Sequence, residues 1–106
     1  MSKFLMQASY TPEGTKGLLK EGGSKRRATV EKTLSGLGAR IEAFYYSLGE
    51  DDVFLIVDAP DTATVAAVSM AVNATGAVRL RTTVLLTTEE IDAATKKSVD
   101  YRPPGR

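Results

Sequence analysis

Five consecutive apolar residues, Val53-Phe54-Leu55-Ile56-Val57, follow directly on the turn Gly49-Glu50-Asp51-Asp52. In an extended chain successive side chains point to opposite faces, so a strand built from this run is apolar on both sides. Such a strand belongs inside a sheet that is covered on both faces. Ahead of the turn, Phe44-Tyr45-Tyr46 has the aromatic richness of a partner strand. The glycine and acids between the two runs are ordinary hairpin residues, able to take positive φ or to bond their own backbone. Residues 44–59 therefore read as two strands and an acidic hairpin.

The rest of the chain supplies what such a sheet needs. Residues 3–10 alternate, with Phe4, Met6, Ala8 and Tyr10 on one side and Lys3, Leu5, Gln7 and Ser9 on the other, the period of a strand. Thr11-Pro12-Glu13-Gly14 punctuates that strand, and Leu18 and Leu19 sit in a short helical piece broken by Gly22-Gly23. Ser24 is placed to cap a helix from about Lys25, with Val30, Leu34 and Leu37 as its buried stripe and Gly38 as its left-handed terminator. Strands are expected near 39–47 and 53–58. Asp61 caps a second helix that carries Val65, Val68 and Val72, is kept slim by alanines, and stops at Asn73-Ala74-Thr75-Gly76. A fourth strand is expected over about 77–87. Thr87 with Glu90 makes a capping box, Thr88 being a rival cap, for a short helix around 89–97.

The order β-α-β-β-α-β predicts a ferredoxin-like α+β fold with an antiparallel sheet. Right-handed crossovers put both helices on one face. The apolar 53–57 strand then leaves the other face in need of a cover, and the sheet of a second copy is the simplest one. A homodimer closed sheet to sheet is expected, with further assembly open. Residues 1–97 form the domain. Residues 98–106, ending Tyr-Arg-Pro-Pro-Gly-Arg, form an extended tail that either lies on a partner with Tyr101 as anchor or frays.

Composition excludes several chemistries. The 106 residues contain no cysteine and no histidine, which removes disulfides, thiolate zinc sites, Ser-His-Asp triads and imidazole proton shuttles. No carboxylate cluster has calcium-loop spacing, and no cofactor or metal is expected. The net charge is +1 with basic residues dispersed, without the footprint of a nucleic-acid binder. No segment reaches transmembrane length, so a soluble cytoplasmic protein is expected. With neither redox side chain nor cofactor motif, any catalysis is limited to proton transfer or isomerisation.

Four constellations are candidates for chemistry. Arg79, Arg81 and Thr83 share one face of the fourth strand, where guanidinium groups can clamp a carboxylate or enolate, or simply protect a sheet edge. Tyr10, Tyr45 and Tyr46 offer hydroxyls to an oxyanion or pack at the rim; Tyr45 and Tyr46 point to opposite faces. Gly49, Glu50 and Asp51 read as a solvated turn, the alternative being a carboxylate pair for acid/base work or a divalent-cation site. Lys25-Arg26-Arg27 after Gly22-Gly23-Ser24 looks like an anion nest but matches no phosphate-loop spacing, and solvated or inter-subunit ion-paired charge is preferred. Arg79, Arg81, Thr83, Tyr10 and Tyr45 are taken as the ligand-binding set, for a small anionic organic molecule between two sheets. The alternative is a structural or stress-accessory module whose interface is its whole function.

Tyr10-Thr11-Pro12-Glu13-Gly14, Ser24-Lys25-Arg26-Arg27, Tyr45-Tyr46-Ser47-Leu48-Gly49-Glu50-Asp51, Ala59-Pro60-Asp61, Arg81-Thr82-Thr83 and Thr87-Thr88-Glu89-Glu90 follow one another along the chain. In this order and spacing they resemble the GYD-domain family of small bacterial proteins. The resemblance covers about residues 3–92 and implies a dimeric α+β barrel. It implies no particular activity. The Gly-Tyr-Asp signature reads Gly49-Glu50-Asp51 here, so any role of that tyrosine does not carry over.

Overall fold

The computed structural model describes residues 1–106. The elements are β1 (Ser2–Tyr10), α1 (Pro12–Glu21), α2 (Gly23–Ser35), β2 (Arg40–Tyr46), β3 (Val53–Ala59), α3 (Thr62–Ala74), β4 (Val78–Leu85) and α4 (Thr88–Thr95). All strand pairs are antiparallel and the sheet order is β2-β3-β1-β4. The doubly apolar strand β3 is an inner strand, where both its faces require it to be.

Alternation along β1 and β3 divides the side chains between two faces. Phe4, Met6 and Ala8 face the helices with Val53, Leu55 and Val57, and Phe4 (1 % exposed) and Val57 (0 %) form the centre of the core. α2 lies over β2, α3 over β4. From the helices come Leu34, Val65 and Val68, with Val30 and Val72 packed at the margin. Asp61 Oδ1 accepts from the Thr64 amide at 2.7 Å, the cap that starts α3. Gly38 has φ +77°, a left-handed turn that sends the chain from α2 into β2.

Four local expectations are corrected. Thr11-Pro12-Glu13-Gly14 is not merely a turn but the start of the ten-residue helix α1, with the Thr11 side chain accepting from the Gly14 amide and Pro12 in the first turn. The two glycines inside α1 hide it in the sequence. Gly14 is there because a Cβ would collide with the carbonyl of Ala77, the same carbonyl that accepts from the Thr11 amide and hydroxyl, each at 3.1 Å. α2 begins at Gly23, with Gly22 (φ +88°) as its cap in place of Ser24. Leu37 lies beyond the end of α2 and is 45 % exposed, outside the stripe it was expected to extend. β4 stops at Leu85, because the Thr87–Glu90 capping box has already begun α4.

Every residue from 88 to 106 is exposed, and α4 makes no substantial contact with the rest of the chain. The radius of gyration is 17.0 Å, against about 13 Å for a compact chain of this size. The longest dimension of the chain is 56 Å. No helix is long and apolar enough to cross a membrane.

Candidate functional site

The sheet face opposite the helices is uncovered. Strand register arranges it in rows. The central row is Ala43–Ile56–Leu5–Thr83; one neighbour is Tyr45–Phe54–Gln7–Arg81, and the other is Arg40–Asp58–Lys3–Leu85. Ser9 and Arg79 extend the pattern towards the hairpin. An apolar band thus crosses the open face, with ionic groups on either side of it.

Each side holds one buried carboxylate. Asp58, 5 % exposed, accepts from Lys3 Nζ at 2.8 Å and Arg40 Nη2 at 3.1 Å, and Lys3 also reaches Glu42 at 2.9 Å across a bulge between Ile41 and Ala43. Lys3 and then Arg40 hold the Asp58 carboxyl below its ordinary range, while Asp58 and Glu42 raise the Lys3 ammonium. At the other side Asp51, 8 % exposed, accepts from Ser9 Oγ at 2.9 Å, Gln7 Nε2 at 3.0 Å and Arg81 Nη2 at 2.6 Å. The Ser9 hydroxyl and the Arg81 guanidinium lower its carboxyl.

This corrects the reading of the hairpin acids as solvated. The loop folds back so that the Asp52 amide donates to the Ala8 carbonyl and Asp52 Oδ2 accepts from the Tyr10 amide, both at 2.8 Å. The backbone clasp drops Asp51 onto the sheet, while Glu50 remains exposed. In the Gly49-Glu50-Asp51 signature the aspartate is the structural member. Its partners come from β1 and β4, far away in sequence, so the signature alone carries no sign of them.

The other candidates separate. Arg79, Arg81 and Thr83 share the open face, as strand alternation required, and Arg79 makes no ion pair. Tyr45 is also on the open face, 71 % exposed, but on β2, at the far edge from β4. Tyr10 is on the helix side with Tyr46, so within one chain the five residues of the set do not converge. Burial pushes the Tyr10 hydroxyl up, as does neighbouring Tyr46, against the lowering effect of Arg26. Tyr46 donates to the Gly23 carbonyl at 2.8 Å and meets Phe44 edge to face at 5.4 Å. Arg27 pairs with Glu31 at 2.9 Å and stacks over Phe44, so this part of the basic run is structural. No group of three or more carboxylates comes together as a metal site. Lys3, Gln7, Ser9, Arg40 and Asp58 were not expected as site residues. For Lys3, Gln7 and Ser9 the polar alternation of β1 was the available signal; Arg40 and Asp58 lie on β2 and β3 and had none.

An antiparallel β2-β3-β1-β4 sheet with helices on one face and a partly polar, ion-paired opposite face defines a ferredoxin-like α+β protein. The GYD domain matches residues 4–95, and the chain belongs to the GYD-domain family. Neither the curated proteins nor the solved structures give a significant match.

Proposed function

We propose that the protein works as a homodimer closed through its open sheet faces, with a small anionic organic molecule held between them. The row Tyr45–Phe54–Gln7–Arg81 carries this reading. A two-fold axis parallel to the strands lays β2 of one copy over β4 of the other and preserves position along the strand. Tyr45 of the partner subunit then stands opposite Arg81, between Arg79 and Thr83. Aligned sheets pack about 10 Å apart, a gap that side chains from both sides can bridge through a small molecule. Arg79 brings an unpaired charge, Arg81 a guanidinium oriented by Asp51, and the tyrosine a hydroxyl donor.

Three features support pairing with a second copy. Three of the four residues of the central row, Leu5, Ala43 and Ile56, are apolar and only partly buried. The open-face cations Lys3, Arg40, Arg79 and Arg81 nearly balance Glu42, Asp51 and Asp58, so two identical faces approach without strong repulsion. The C-terminal arm, with Ile91 and Tyr101 exposed, makes no substantial contact with its own chain. A second reading, an interaction module without ligand, is favoured by one observation: Arg81 already has a carboxylate partner.

Sedimentation at micromolar concentration should show a dimer; monomers would end the model. The absence of native cysteine allows a clean cross-linking test. A Tyr45→Cys/Arg81→Cys chain should cross-link between subunits with a short bismaleimide, whereas Tyr45→Cys alone should not. Efficient cross-linking of Tyr45→Cys alone would place β2 over β2 and remove the proposed site. With malonate as probe, Arg81→Ala should weaken binding more than Glu50→Ala. The reverse ranking moves the site to the hairpin, and no binding by the native dimer favours the interaction module.

A further inference from the structure

On the helix side, α2 and α3 cover opposite edges of the sheet and leave a gap above its inner strands. Beneath the gap lies a cavity of about 140 Å³, with Ala8 and Val53 in its floor and Val30, Leu34, Val68 and Val72 in its walls. Thr29 and Thr33 also line it, but their hydroxyls donate back to the carbonyls of Lys25 and Thr29, both at 3.1 Å, leaving methyl groups for the cavity. Among its lining residues there is one charged group, Arg26, and one phenol, Tyr10. The same two residues line a wider cleft of about 370 Å³ beneath α1. They therefore mark the doorway between an apolar inner chamber and an outer vestibule.

Arg26 is half-buried and has no ion-pair partner, unlike Arg27, Arg40 and Arg81. Glu13 and Glu21 line the vestibule. An anion is thus attracted at the doorway and repelled further out, which fixes its orientation: head on Arg26, apolar body inward. Size follows from the volume, since an apolar cavity of about 150 Å³ excludes water and accommodates benzene. We infer that this chamber is a second binding site, for a small apolar carboxylate no larger than one aromatic ring or a six-carbon chain, with Arg26 and Tyr10 holding its carboxylate. This site lies across the sheet from the proposed intersubunit one and does not depend on dimerisation.

The test uses the full chain, benzoate and benzyl alcohol as probes, and amide chemical shifts as the readout. Benzoate should bind saturably, perturbing Ala8, Val30, Val53 and Val68, and about tenfold more tightly than benzyl alcohol, as a charge-assisted hydrogen bond warrants. Arg26→Gln should abolish that preference, and Val30→Phe, which fills the chamber, should abolish binding of both probes. Circular dichroism checks that each variant is folded. Equal affinity for the two probes would overturn the role of Arg26. Undiminished binding by folded Val30→Phe, or shifts confined to Leu5, Phe54 and Ile56 on the open face, would overturn the site itself.

Discussion

Phe4 and Leu5 are neighbours in the chain, yet one is sealed under two helices and the other lies on the uncovered face of the same sheet. On the helix side, burial is achieved within the chain, by valines, leucines and a phenylalanine drawn from strands and helices. On the open side the chain instead neutralises its charges: Asp51 and Asp58 are buried with all their donors in place, while the apolar residues between them are left half covered. Buried polar groups that are fully paired cost little to cover further. The open face is therefore uncovered but internally paired, as the proposed dimer requires, and the helix face is complete apart from the chamber between α2 and α3.

The sharpest way to break this contrast is to change the two neighbours separately. Phe4→Ala should lower unfolding stability by about 3–5 kcal/mol, as a large-to-small core change does. Leu5→Glu should convert the proposed dimer to monomer in sedimentation while the monomer's own stability moves by about 1 kcal/mol at most. Equal unfolding losses for both would mean that the two faces are not different in kind. Gly14→Ala comes next, at about 1–3 kcal/mol, because the added methyl must push α1 away from the Ala77 carbonyl. Denaturant titration reads it directly.

Asp51→Asn tests the ionic side of the comparison. The folded carboxyl lies below its ordinary value of 3.8, so the ionised form stabilises the fold above that pH. That contribution is lost as the pH falls through the lower folded value. Native protein should therefore exceed the variant in denaturant midpoint at pH 7, and the difference should close as the pH drops below 4. A gap that persists in acid would assign the effect to packing. The smallest change is expected at Thr87→Ala. It removes a cap worth about 1 kcal/mol to α4, but α4 is barely attached to the body. Amide exchange in α4 should quicken with no shift in the global unfolding midpoint.

Legibility in the sequence followed the range of the interactions. The alternation of β1, the doubly apolar β3, the Asp61 cap, the Gly38 terminator and the Thr87–Glu90 box are set by residues within a few positions of one another, and all are present as read. α1 was obscured because Gly14 and Gly17 lower helix propensity, and the reason for Gly14 lies at Ala77. Asp51 looked like any hairpin acid because its donors, Gln7, Ser9 and Arg81, lie 30 to 44 positions away. Tyr10 was grouped with Arg79 and Arg81, although its alternation with Phe4 and Met6 puts it on the other face once the strands are in register.

The sequence by itself determined the β-α-β-β-α-β frame, the inner place of Val53–Val57 and the common face of Arg79, Arg81 and Thr83, because side-chain periodicity is a local property of the backbone. Tertiary structure alone decided that Asp51 is a buried acceptor, that Tyr45 shares a row with Arg81, and that a chamber opens between α2 and α3. Those facts depend on strand register and on how far apart two helices sit, and both are settled by contacts between residues distant in the chain.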